Sequence, residues 1–294
     1  MRLVIKVFLI AAIAINVADV YGQDAFGSMA PKSQTTTPKT TNNKTKQCPD
    51  KPNLTDAQGR KQGEWAKKYA NGQYIYVANF VDDKPVGVVT RYAENGQKVS
   101  ETTFNNDGTT TVVYFHENGK KASEGKYSTS KKRDGLWVYY NEQKQKVAAE
   151  NYNNGKLNGT SYVYYDNGNV AEEINYTNDV LNGPWFQYLP SGRRRLDTHY
   201  VNGKIDGLYK YWDDGGFLSV EGYYKNGVQV GDWKIYEANG STKFFVMQYD
   251  NNGTLLNEDE VQKLMNDKLD DLEAKRKFIV DPEDYMNTPE LYKP

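Results

Sequence analysis

Cysteine and histidine are nearly missing from this chain. Cys48 is its one cysteine, and His116 and His199 are its only histidines. A single cysteine closes no intramolecular disulfide, and Cys48 lies too far beyond the apolar N-terminal run to be the lipidated first residue of a lipoprotein. It reads as a free thiol or an intermolecular bridge. Two histidines far apart in sequence build no paired-histidine metal site. No G-x-S-x-G, P-loop, CxxC or HExxH stretch occurs. The acidic pairs Asp82-Asp83, Asp213-Asp214 and Asp270-Asp271 lack the full run of oxygen ligands that a calcium loop needs. A surplus of one charge sign is also absent: the net charge is -1, which gives no general attraction to nucleic acid or anionic lipid. The local basic runs Lys131-Lys132-Arg133 and Arg193-Arg194-Arg195 read as solvated surface. These absences lead to the expectation of a non-enzymatic protein with no cofactor and no metal.

Long apolar stretches are confined to the N-terminus. Residues 1–22 carry Arg2 and Lys6, an apolar run from Val7 to Ile15, and the small or neutral end Val20-Tyr21-Gly22, which is the layout of a secretory signal peptide. Asn16 and Asp19 interrupt the run too early for a membrane span, so no transmembrane segment is expected once the signal is removed. Residues 23–56, rich in Thr, Lys, Ser, Pro and Asn, bury too little apolar surface to offset their ordering entropy and read as a flexible tether. The expected location is across the inner membrane of a bacterial cell, periplasmic or at the cell surface.

What the chain has in abundance is aromatic residues, with 24 tyrosines and five tryptophans, and they recur. A unit begins at Gly63, Gly87, Thr111, Gly135, Gly159, Gly183, Gly207 and Gly231, a constant step of 24 residues, which is the mark of a repeat array. Two places after the first position stands a column of Trp65, Val89, Trp137, Ser161, Trp185, Tyr209 and Trp233. Five places after it stands a second: Tyr92, Tyr140, Tyr164, Tyr188, Trp212 and Tyr236. A third, Phe80, Phe104, Tyr152, Tyr176, Tyr200 and Tyr224, precedes the next unit. Between the second and third columns lie Asn71-Gly72, Asn95-Gly96, Asn118-Gly119, Asn167-Gly168 and Asn239-Gly240, which predict type I′ hairpins. A further turn signal follows the third column, as at Asn154-Gly155, Asn202-Gly203 and Asn226-Gly227. Each unit is thus two strands. The fold expected for residues 57–256 is all-β: an elongated antiparallel hairpin meander of about eight units and sixteen strands.

The third unit checks this frame. Its Asn118-Gly119 pair comes one residue early, the loop before it being one residue short and the loop through Ser128 to Asp134 one residue long. A slip taken up by loops keeps the strands in register, whereas a slip inside a strand would turn every side chain to the other face. A lone unit orders about 24 residues at roughly 1 kcal/mol or more each against burial of three aromatics, so units must stack to be stable.

The pattern G-x-W-x-x-Y-x-x-N-G, with a second strand ending near Tyr-x-Asn-Gly, resembles the bacterial variant of the MORN repeat, a family found in proteins called antitoxin-like. Ser161 in place of the first aromatic and Gln143-Lys144 in place of Asn-Gly depart from it. The resemblance implies hairpin arrays and protein or lipid contact, and no catalytic residues. A looser likeness is to aromatic cell-wall-binding repeats.

From Asn257 the period changes. Asn257 with Glu260 reads as a capping box, and Val261, Leu264, Met265, Leu269 and Leu272 recur at helical spacing. The helix is expected to lie over the last hairpin and cover its open edge, with an extended tail to residue 294. The first functional expectation is a secreted, envelope-associated scaffold for protein partners. Alternatives are binding of cell-wall or surface polysaccharide through the aromatic columns, or an antitoxin-like inhibitor. The candidate binding surface is Trp137, Tyr140, Tyr164, Trp185, Tyr188, Tyr209, Trp212, Trp233 and Tyr236, whichever column proves to face outward.

Overall fold

A computed structural model of the chain describes residues 53–237 and 243–276, with only the backbone of 243, 244 and 271–276. The signal-like leader, nearly all of the tether with Cys48, the Asn239-Gly240 pair, Leu272 and the tail lie outside the described side chains. Nineteen strands form one sheet, paired antiparallel with their neighbours in sequence from Leu54–Thr55 through to Lys243–Tyr249. Two short strands, Lys156–Leu157 and Lys204–Ile205, continue after one residue into Gly159–Tyr164 and Gly207–Trp212. Setting aside these two continuations and the short first strand leaves sixteen long strands of the nineteen, two per unit. Leu54–Thr55 pairs with Gln62 and Lys61, so the ordered body starts before the expected boundary at 57.

The turns after the second column differ in type from the sequence expectation. The Asn-Gly pairs after the second column sit in three-residue loops. At the first, Gly72 N–H donates to Tyr69 O and Tyr69 N–H to Gln73 O, and only Gly72 has positive φ. Asn71 instead accepts the Gln73 N–H through its side chain at 3.0 Å, and Asn95, Asn118 and Asn167 repeat that bond. The geometry is a type I turn followed by a left-handed residue. In the fourth unit Lys144 occupies that position, at φ 71°. Type I′ turns are found at the other end of five units, where both central residues have positive φ: Asp82-Asp83, Asn154-Gly155, Asn178-Asp179, Asn202-Gly203 and Asn226-Gly227.

The first glycine of the unit has a separate task. Val77 pairs with Thr90 and Asn79 with Val86, so Ala78 alone faces Gly87, Val88 and Val89, and Gly87 bends back through φ 66°. Such a bulge kinks the strand and raises its twist, and the same pairing gap recurs at Gly135, Gly183 and Gly231. The third unit starts with Thr111 and not glycine, and its strand pair Lys98–Phe104 with Thr110–Phe115 runs without a register shift. It also explains the one-residue slip: the bulge is gone, and three-residue loops stand at both Asn105–Thr109 and Ser128–Lys132.

The helix is Glu258–Arg276, with Glu258, Asp259 and Glu260 in its first turn, where negative charge is favourable. Val261 is buried with Trp233, Phe245 and Met247, and Leu264 and Met265 pack against the same cluster. Leu269 is 40 % exposed and so leaves the expected apolar stripe. The helix lies on a face of the last strands; the edge is closed by the residues before it. Leu256 N–H donates to Gln248 O, and the Asn257 side chain accepts from Gln248 N–H at 2.9 Å and donates to Val246 O at 2.9 Å. The amide thereby stands in for the peptide of a next strand. Occupied in this way, it contributes to the helix end only a 3.3 Å bond to Glu260, which differs from the expected capping box. Asn53 does the same at the opposite end, bonding both N–H and C=O of Ala66. Replacing Asn257 by Leu exposes edge groups that seek another strand; the sedimentation coefficient is expected to rise with concentration, whereas one that stays concentration-independent contradicts the capping role.

Candidate functional site

Parity sorts the aromatic columns. Positions two and five of a unit are an odd number apart, and side chains alternate along a strand, so the first and second columns occupy opposite faces. The third column shares the face of the first: Trp65 meets Phe80, Trp185 meets Tyr200, and Tyr209 meets Tyr224 at ring separations of 6.3, 5.4 and 5.6 Å. This inner face holds the core, with Val89, Val112, Trp137, Tyr209 and Trp233 all buried. The substantial contacts of each strand are with its sequence neighbours, so the cover comes from adjacent units. Trp137 rests on Gly125, where an added Cβ would come within 2.3 Å of the indole. Tyr127 stands edge-on to it at 5.0 Å and the Arg133 guanidinium lies over it at 4.7 Å. Trp233 repeats the arrangement on Gly222.

Polar groups on the inner face are bonded into the core. Glu150 is buried and accepts from the hydroxyls of Tyr139 and Tyr152, each at 2.7 Å. Arg133 donates to both hydroxyls. Burial, and then the bond to Glu150, push the Tyr139 phenol well above its ordinary range. Arg133, read from sequence as solvated surface, is thus partly buried and serves the core. Burial likewise raises the carboxyl of Glu172. Ser161, in place of an aromatic, is buried with no hydrogen-bond partner for its hydroxyl among the described residues.

The outer face carries the second column. Tyr92, Tyr140, Tyr164, Tyr188, Trp212 and Tyr236 are all partly buried, and Phe115 fills the same role in the slipped third unit. At about 4.8 Å between strands the column places one ring about every 9.6 Å. Cations stand on these rings: Lys98 over Phe115 at 5.2 Å, Lys121 over Tyr140 at 5.6 Å, and Arg194 over Phe186 and Tyr188 at 3.8 and 4.9 Å. Such contacts are attractive by about 0.5–2 kcal/mol each. Carboxylates run alongside. Glu124 bonds Lys121 and the Tyr140 hydroxyl, which together hold its carboxyl below the usual range. The Tyr140 phenol is pushed up to about 12 by burial and by that bond. Lys210 and Lys234 share Glu221.

The nine sequence candidates therefore divide. Trp137, Tyr209 and Trp233 are core, Trp185 is on the same inner face, and only Tyr140, Tyr164, Tyr188, Trp212 and Tyr236 form an open row. Tyr162, Phe186 and Arg194, which belong with that row, were not among the candidates. The signal available for Tyr162 and Phe186 was position three of the unit, which has the parity of position five, and Arg194 stands across from Tyr188. The other polar candidates stay apart. His116 bonds the Tyr140 carbonyl at 2.8 Å, His199 is exposed in another unit, and Asp83 accepts the Lys61 N–H within a turn. No group of three potential metal ligands occurs among the described residues, and no described helix is long and apolar enough to cross a membrane.

The family model of the MORN repeat variant matches residues 85–106 and 157–178, each starting two residues before the first glycine of the second and fifth units. These two stretches are similar to the MORN repeat variant. No curated protein matches the chain. The repeated hairpin accounts for the architecture of the site: the first and third columns fill the inner face, and the second column lies on the open face. The product is a repeat scaffold. Side chains and backbones also tie successive repeats together at both margins, as where Asn167 donates to Pro190 O at 2.8 Å and Gly203 N–H to Leu181 O at 2.8 Å, so the outer rings are held at fixed spacing.

Proposed function

We propose that the protein is a secreted, envelope-associated, non-enzymatic scaffold that binds protein partners through the outer face of its MORN-variant array. The observation that carries this reading is the outer row of partly buried rings, each unit presenting an aromatic body beside charged groups. Aromatic and arginine side chains of this kind dominate protein interfaces. The polysaccharide alternative is less well supported, because a sugar stacks on an open ring and Lys121, Lys98 and Arg194 already stand over rings of this row. The non-enzymatic reading rests on the scatter of the histidines and carboxylates over separate units. Secretion rests on the signal-like layout of residues 1–22.

A cell-envelope extract passed over the immobilised chain is the test, run with and without prior protease digestion. The expected result is that digestion removes the retained material, and that the pair Tyr164→Ser and Tyr188→Ser removes it from undigested extract. Retention that survives digestion contradicts the protein-partner reading.

A further inference from the structure

The run Arg193-Arg194-Arg195 splits three ways. Arg193 donates to Gly215 O at 2.8 Å at the turn margin. Arg195 reaches the Tyr211 hydroxyl at 3.3 Å and Asp214 at 3.7 Å. Arg194 lies on the outer face, flat enough over Phe186 to bring its guanidinium carbon within 3.8 Å of the ring centre, yet it makes no ion pair or hydrogen bond among the described residues, and one of its terminal nitrogens is buried without a partner. Its counterparts are neutralised in place: Lys98 by Glu101 and Lys121 by Glu124, each three residues on. Asp197 stands at that spacing from Arg194 but does not pair with it, and Glu173 is taken by the Tyr188 hydroxyl at 3.3 Å. Lys146, across from Tyr140, also makes no ion pair among the described residues: the position three residues on is the buried Ala149, and Glu124, whose carboxylate feels its charge, is bonded to Lys121 and Tyr140.

A guanidinium fixed by stacking, with unused donors in a partly dry setting, is preorganised for a carboxylate. We propose that Arg194 and Lys146 anchor an extended acidic segment of a partner protein across the outer face. The strands of Lys146 and Arg194 are four steps apart, about 19 Å. An extended peptide advances about 3.3 Å per residue, so the segment carries two carboxylates about six residues apart, with apolar side chains between them resting on Tyr162, Tyr164 and Tyr188. The inference depends on the protein-scaffold reading and gives it a partner chemistry.

The test uses the whole chain and a short fluorescent synthetic peptide with two glutamates about six residues apart around leucine and tyrosine, followed by anisotropy at low salt. Arg194→Gln is expected to weaken binding at least about tenfold, as is changing both peptide glutamates to glutamine, while Arg193→Gln leaves it unchanged. Lys146→Gln supplies the same reading should Arg194→Gln disturb the near-ultraviolet circular dichroism. Equal binding by folded Arg194→Gln and native protein overturns the proposal, and so does binding of polygalacturonate with none of the peptide. Envelope proteins retained equally by native and Arg194→Gln chains also overturn it, while leaving the scaffold reading intact.

Discussion

Replacing Trp137 by Ala is expected to remove about 3–5 kcal/mol of stability. The indole is 1 % exposed, and its contacts come from Gly125 beneath, Tyr127 at the edge and Arg133 above. Gly125 has no side chain to swing into the space, and Arg133 is held by Tyr139 and Tyr152, so the cavity cannot collapse cheaply. The loss should be local: units of a linear array interact mainly with their neighbours, and amide exchange should accelerate in the third to fifth units before the ends. Leu136, adjacent in the same strand but 54 % exposed on the outer face, is the control, and Leu136→Ala should change stability by less than about 0.5 kcal/mol. Urea unfolding decides it; a loss below about 1 kcal/mol for Trp137→Ala would contradict the assignment of the inner face as core.

Alkali should unfold the array. Burial pushes the phenols of Tyr176 and Tyr224 up to about 12, and those of Tyr200 and Tyr209 upward as well, whereas an unfolded tyrosine titrates near 10. Above pH 10 the unfolded chain releases protons that the folded chain retains, so stability falls as pH rises. The contribution is whole below pH 10 and is lost as pH climbs through the folded values. For Tyr176 and Tyr224 a shift of about two units corresponds to at most about 2.7 kcal/mol each, and somewhat less after allowing for partial exposure. Loss of β-sheet circular dichroism should therefore coincide with phenolate absorbance between about pH 10 and 12. Phenolate appearing fully at pH 10 with the sheet intact would contradict the burial of the third column.

Much of the architecture is written in residue spacing. The step of 24, two strands per unit and the loop compensation around Thr111 all follow from the positions of glycine and aromatics, because strand register tolerates no slip. The turn types were not readable from Asn-Gly alone, since that pair serves a type I′ turn of two residues and a three-residue loop with a left-handed glycine equally well. What separates them is loop length, set by where the flanking strands pair. Asn257 shows a different limit: its distance from Glu260 suits a capping box, but a long-range demand from the edge at Val246 and Gln248 takes its side chain. The open face was half legible. Odd spacing between the first and second columns requires opposite faces, but which face is core depends on third-column rings packing against the first. Arg194 was hidden inside a run of three like residues, since adjacent residues point to opposite sides of a sheet.

Hydroxyl-radical footprinting of the folded chain, read at residue level by mass spectrometry, tests the two-faced array most directly, since it reports both columns in one sample without any substitution. Tyr140, Tyr164, Tyr188 and Trp212 should oxidise several times faster than Trp137, Tyr209 and Trp233. Oxidation of Trp137, Tyr209 and Trp233 as fast as that of Trp212 and Tyr188 would contradict the assignment of core and open face on which the binding account stands.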